Sequence, residues 1–346
     1  MIYKGFAVVS RVVCSKVNSQ IRTMSGRFQV YVTRSHMPEC GVQLLKKQCD
    51  VKLWDKPSPV PRPEFLTAVS GVNGIYCSLT DKIDKELLDA AGSELKVVAT
   101  ISVGHDHIDV AECRKRGIRI GYTPDVLTDA TAELTMALLL STSRRLPEAI
   151  HEAKTGGWVS WAPTWMTGPG LAGATVGIVG FGRIGQAVAR RVKSFNTAKI
   201  LYSNRSDRPE AKETGAIKVS FDELITQSDF IICCAALVPE TKEIFNKSTF
   251  EKMKPTAIFV NTSRGGTVDQ DALIEALKNN TIRAAGLDVT TPEPLPLDSP
   301  LLKLKNCIVL PHIGSASIET RNTMSELTAN NILAALNGVA MPAELK

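Results

Sequence analysis

The sequence predicts an α/β protein of two domains, each on a parallel sheet, with the second domain inserted into the first. Three observations carry this. From residue 28 onwards, short β-branched runs alternate with helical stretches. The glycine-rich stretch "VGIVGFGRIGQ", residues 176–186, lies in mid-chain instead of near the start. A last helical segment, "IETRNTMSELTANNILAALNG", has no strand after it, so it can return to pack on the first domain. At 346 residues the chain is also longer than one hydrophobic core usually serves.

The elements follow in order. "FQVYVTR", "CDVKLW", "GIYCSLT", "LKVVATIS" and "IRIGYT" read as five strands, with helices such as "DKELLDAAG" and "VAECRKRG" between them. One long helical segment is expected from about Asp125 to Lys154. A Gly- and Pro-rich loop follows, "GGWVSWAPTWMTGPG". Six further strands read "TVGIVG", "KILYS", "FIICCA", "AIFVNTS", "AAGLDV" and "CIVLPH", the count of a full dinucleotide-binding sheet. The expected division is a tail at 1–27, a flavodoxin-like substrate domain at 28–126 plus 318–346, and a dinucleotide-binding domain of Rossmann type at 127–317.

Hydrophobic residues make up 44% of the chain and charged residues 22%, an ordinary globular balance. No apolar run approaches the length of a membrane span. The net charge is +6, and the six basic residues among the first 38, ahead of the first acid at Glu39, account for all of it. The body is therefore near neutral, which predicts no nucleic-acid partner and no membrane partner. Residues 1–23 are basic and acid-free, which fits a mitochondrial presequence, a disordered tail or an extension upstream of Met24. The eight cysteines form no C-x-x-C pair, a pattern of reducing compartments that points to the cytoplasm.

Gly180, Gly182 and Gly185 form G-x-G-x-x-G between a strand and the helix "IGQAVARRVKSF". Gly180 allows the tight turn, Gly182 lets a pyrophosphate approach the backbone, and Gly185 lets helix and strand pack closely. Arg183 and Ile184 open the helix, whose free N–H groups and dipole favour phosphate. An NAD site usually has an acid at the tip of the next strand. Here that tip reads Asn204-Arg205-Ser206, and Asp207 comes later. A cation with small polar neighbours suits a 2′-phosphate, so NADPH is the expected cofactor, with NADH as the alternative.

Three later strand ends carry Arg264, Glu293 and His312. Each alone could be an ordinary surface or loop residue. Together, outside the carboxyl ends of one sheet, they make a cation, a carboxylate and an imidazole beside a nicotinamide. Hydride transfer to a 2-oxo acid loads negative charge on the carbonyl oxygen, and histidine is the natural proton donor there. A carboxylate fixes its tautomer, and arginine grips the substrate carboxylate.

The motifs "GIVGFGRIG", "VNTSRGGTVDQDAL", "AAGLDVTTPEPLP" and "PHIGSAS" resemble the D-2-hydroxyacid dehydrogenase family over residues 28–346. "SVGHDHID", "GYTPDVLTDATAEL", "GGWVSWAPTWM" and "LKNCIVLPHIGSA" resemble its glyoxylate- and hydroxypyruvate-reducing branch. The resemblance implies that Arg264 orients substrate, His312 is the acid/base and Glu293 its partner. It implies substrate contacts from the Val103 and Gly104 backbone and from Ser315. It also implies cofactor contacts at Ala236, Thr262, Asp288 and Gly314, the last two at the nicotinamide end. The Trp loop would form a homodimer interface, with Trp161 reaching the partner's site. The alternatives are another dehydrogenase of this family, acting on phosphoglycerate or a broad set of 2-oxo acids, and a nucleotide-sensing corepressor-like module. His105 departs from the family pattern. With His107 it forms H-x-H, but no third ligand is near in sequence, and no metal is expected.

Overall fold

The computed structural model describes residues 26–346, so the expectations for residues 1–23 lie outside the described residues. Five strands form the first sheet: β1 (Gln29–Val32), β2 (Asp50–Leu53), β3 (Gly74–Cys77), β4 (Val97–Thr100) and β5 (Arg119–Gly121). All are parallel, in the order β2-β1-β3-β4-β5. Every residue of β3 and β4 is buried, because parallel strands are covered on both faces. One face packs Val30, Val32 and Val97 against Met324, Ile332 and Leu336 of the last helix, Ile318–Leu336. The other face packs Ile75 and Val98 against Leu87 and Leu88.

The last helix is also pinned to this first sheet by polar groups. Ser325 Oγ donates to the Pro38 carbonyl at 2.8 Å and pairs with the Tyr76 hydroxyl at 2.9 Å. Asn331 donates to the Tyr122 carbonyl at 3.0 Å and accepts from the Ala343 N–H at 2.8 Å. A buried Asn or Ser is stable only with such partners.

The second sheet holds β6 (Thr175–Val179), β7 (Lys199–Ser203), β8 (Ile217–Lys218), β9 (Phe230–Cys233), β10 (Ile258–Asn261), β11 (Ala284–Leu287) and β12 (Cys307–Val309). Its order is β12-β11-β10-β9-β6-β7-β8, and the pairings are parallel. This is the doubly wound dinucleotide order, extended at one edge. The chain reverses direction of winding between β6 and β9, and ligands in such sheets bind at the carboxyl ends of the strands at that point.

Two expectations need correction. The second sheet has seven strands, not six, because β8 is a two-residue edge strand, too short and too exposed to leave a β pattern in the sequence. The expected single helix is two, Thr128–Ser143 and Leu146–Thr155. Arg145 breaks it in the left-handed region at φ 55°, and Pro147 has no N–H to continue the ladder. Arg145 then forms a two-point ion pair with Glu148, at 2.9 and 2.7 Å.

Candidate active site

The glycine turn is shaped for an anion. Gly180 sits at φ 88°, and a Cβ there would lie 2.5 Å from the Ala235 backbone. At Gly185 a Cβ would lie 2.3 Å from the Gly180 carbonyl. At Gly182, by contrast, a Cβ would point into open space beside the helix Arg183–Lys193. No side chain caps that helix, so its first N–H groups stay available for phosphate. Arg183 forms an ion pair with Asp125 of the segment entering from the first sheet. Ile184 packs against cores on both sheets, which fixes the helix between them.

At the tip of β7, Asn204 is a structural bracket. Its Oδ1 accepts from the Phe181 N–H at 3.1 Å, and its Nδ2 donates to the Ser206 carbonyl at 3.0 Å. Arg205 and Ser206 are exposed beside it. The nearby acid, Asp207, is drawn to Lys218 at 2.6 Å, and that contact holds its carboxyl below the usual range. Arg208, which sequence reasoning passed over, adds a second cation here, and its buried Nε has no hydrogen-bond partner. Ala236 and Thr262 lie at the ends of neighbouring strands. The Ala236 carbonyl accepts from Thr241 Oγ1 at 2.6 Å, and the Thr262 hydroxyl meets that of Thr135 at 2.8 Å.

His312 and Glu293 come together across 19 residues of chain. The imidazole Nδ1 lies 2.8 Å from Glu293 Oε2, while Glu293 Oε1 accepts from the Thr290 N–H at 3.0 Å. Burial works against the Glu293 charge, but the His312 contact, the Thr290 N–H and the Arg264 guanidinium outweigh it and hold the carboxyl below its ordinary value. An ionised carboxylate can only accept, so Nδ1 carries the ring proton and Nε2 is left for substrate. His312 itself sits at φ 55°, a conformation that costs a residue with a side chain about 1–3 kcal/mol.

Asp288 is what holds it there. The Asp288 carbonyl accepts from the His312 N–H at 2.9 Å. Its two carboxylate oxygens accept from the N–H groups of Ile313 and Gly314, both at 2.8 Å. The sequence reading assigned Asp288 and Gly314 to the nicotinamide. In the structure the Asp288 carboxylate is turned onto the His312 loop and is itself buried, and burial raises its carboxyl despite those bonds. Ser315 continues the loop, its carbonyl accepting from Arg321 Nε at 3.2 Å.

Arg264 reaches across to the first domain. Its Nε donates to Asp106 Oδ1 at 3.0 Å, and its Nη1 donates to the Ser263 carbonyl at 2.9 Å. The remaining Nη2 lies so close over Gly104 that a Cβ there would be 1.5 Å from it. Arg264 is thereby aimed at the Val103–Gly104 turn. Asp106 was not recognised in the sequence, although it stands inside "SVGHDHID"; only the folded distance singles it out. Among the described residues no three His, Cys, Asp or Glu side chains are grouped to hold a metal ion. The three tryptophans are far from core-like. Trp158, Trp161 and Trp165 are 63%, 80% and 39% exposed, and Leu146, Ile150 and Val159 of the same stretch of chain are exposed as well.

Residues 136–314 match the model of "D-isomer specific 2-hydroxyacid dehydrogenase, NAD binding domain". The chain is 56% identical over 320 residues to the human glyoxylate reductase/hydroxypyruvate reductase, covering 92% of this chain and 98% of that one. Among solved structures, a Thermus thermophilus protein superposes with a TM-score of 0.86 at 41% identity, covering 92% of this chain and all of that one. An NADPH-dependent glyoxylate/hydroxypyruvate reductase from Sinorhizobium meliloti, solved with NADP and malonate, superposes with a TM-score of 0.80 at 32% identity, covering 92% and 97%.

Proposed function

The chain belongs to the D-isomer specific 2-hydroxyacid dehydrogenase family, and from that premise we propose that it reduces glyoxylate to glycolate and hydroxypyruvate to D-glycerate with NADPH. The observation that carries this is the Glu293–His312 pair, with Nε2 free, on the same sheet edge as the glycine turn and Arg264. When bound, the reduced nicotinamide supplies the hydride. Gly180, Gly182, Arg183, Ile184 and Gly185 would hold its pyrophosphate, and Asn204, Arg205 and Ser206 its ribose end. The His312 Nε2 atom gives a proton to the carbonyl oxygen as negative charge develops there. The donor is therefore the imidazolium, which Glu293 steadies at Nδ1, and once the Nε2 proton is given the ring is left as the neutral Nδ1–H form. Arg264 and the N–H groups of Val103 and Gly104 orient the substrate carboxylate. In this reading the substrate domain spans 28–126 and 318–346, and 127–317 binds cofactor.

The test is a steady-state panel of glyoxylate, hydroxypyruvate and pyruvate with NADPH and NADH. Turnover of the first two acids with NADPH is expected. Turnover of neither would overturn the reading. In the same panel Arg205→Asp should lower kcat/KM with NADPH at least about tenfold more than with NADH, since it sets an anion beside the 2′-phosphate. An unchanged ratio would remove Arg205 as the determinant.

The exposed tryptophan face supports a homodimer in which Trp161 completes the partner's site. Trp161→Ala should then raise KM for hydroxypyruvate and admit bulkier 2-oxo acids. Mixing inactive His312→Ala chains with Trp161→Ala chains gives, in each heterodimer, one site with both defects and one with neither. Activity at low substrate should recover on subunit exchange; no recovery means that Trp161 serves its own chain. The free thiols of the described cysteines support a cytoplasmic location, and no helix of the described residues is long and apolar enough to cross a membrane.

A further inference from the structure

His107 is unused by the chemistry above, yet it is half-buried and has a defined place. Its Nε2 lies 3.1 Å from Thr100 Oγ1. Thr100 Oγ1 lies 2.8 Å from Ser102 Oγ. Ser102 Oγ donates to the Gly104 carbonyl at 2.6 Å. The direction of this chain is forced. Each hydroxyl has one proton. Ser102 gives its proton to Gly104, so it must accept from Thr100. Thr100 has then given its proton and must accept from His107. His107 is therefore the Nε2–H tautomer, and its Nδ1 is a bare acceptor. That atom is buried and has no hydrogen-bond partner. Burial also disfavours the imidazolium and pushes the ring's pKa down to about 4, so the ring stays neutral near neutral pH.

Thr100 ends β4 and is fully buried, and Ser102 is nearly so. The anchor of the relay is thus rigid, while its far end is the carbonyl of the glycine that lies under Arg264 Nη2. We infer that His107 is a positioning residue for substrate binding, acting through Thr100 and Ser102 to fix the Val103–Gly104 turn in the orientation that receives the substrate carboxylate. This rests on the reading of that turn as the carboxylate site. The H-x-H spacing makes His107 look like half of a metal pair with His105, but His105 has other neighbours, its Nδ1 at 3.5 Å from the Val103 carbonyl and its ring edge-on to Tyr122.

His107→Leu should raise KM for glyoxylate about tenfold, the scale of one lost buried hydrogen bond, with kcat and NADPH affinity nearly kept. His107→Gln should restore KM to within about twofold, because its amide nitrogen can take the Nε2 position. Ser102→Ala should match His107→Leu, and the double variant should be no worse than either, since both break one relay. Additive effects, a loss confined to kcat, or a failure of glutamine to rescue would overturn the inference. If the wild type turns over no 2-oxo acid, the functional reading falls instead, and the relay is then decided by NMR of the ¹⁵N-histidine-labelled protein. The chain has five histidines, and the signal missing in His107→Gln should report a neutral Nε2–H ring. A neutral Nδ1–H ring or an imidazolium at neutral pH would overturn it.

Discussion

Replacing His312 by alanine is expected to lower kcat by about a hundredfold or more, with NADPH binding largely kept. Nε2 is the ring atom left for the carbonyl oxygen once Nδ1 is committed to Glu293 at 2.8 Å. Because His312 occupies the left-handed region at φ 55°, alanine adds strain as well as removing the acid. Asparagine tolerates that region better, so His312→Asn separates the two effects. Both variants should lose turnover alike, and asparagine should keep the melting temperature closer to wild type. Near-normal kcat in either variant would remove His312 from the chemistry. The pairing has its own signature in stability. The His312 contact helps to hold the Glu293 carboxyl below its ordinary value, so the stability it contributes is present above the ordinary carboxyl range and is lost as pH falls through the lowered one. Glu293→Gln should therefore lower the melting temperature at neutral pH, with the gap to wild type closing as the solution is made acid. A gap that does not change with pH would count against the pair.

The second large effect is expected at Arg264. Arg264→Gln should cut kcat/KM for glyoxylate by about a hundredfold, mainly through KM, because a charged and geometrically paired contact to the substrate carboxylate is lost. Lysine should restore little. It keeps the charge but cannot donate from an Nε to Asp106 while presenting a second nitrogen over Gly104. NADPH affinity, read by fluorescence titration, should hardly change. Full recovery in Arg264→Lys would show that charge alone is used and that the Asp106 anchor is idle.

Much of this protein could be read from the chain alone. Parallel strands buried on both faces must be continuous apolar runs, so stretches such as "GIYC" and "FIIC" declare themselves. The glycine turn is equally legible, because a phosphate and a close helix–strand contact both exclude Cβ atoms at fixed spacing. Arg264, Glu293 and His312 stood out because charged or ionisable side chains are unusual where such strands end. These features are local: their cause lies within a few residues of the pattern.

What the sequence could not decide depends on distance through space. No proline or glycine stands between Asp125 and Arg145, so the sequence reads as one helix from there to Lys154, yet one left-handed residue, Arg145, followed by Pro147, divides it. β8 is defined by pairing with β7 and not by its own two residues. Asp288 sits at a strand end, and only the fold shows that the loop 25 residues later supplies N–H groups to its carboxylate. Asp106 meets Arg264 only because two separately folded sheets bring positions 158 residues apart within 3.0 Å. His107 gained a direction for its proton only when two hydroxyls and a carbonyl were lined up beside it. Residue types and their spacing determined which groups are present; the tertiary structure decided which of them can meet, because a hydrogen bond needs its atoms within about 3 Å and the chain order sets no such distance.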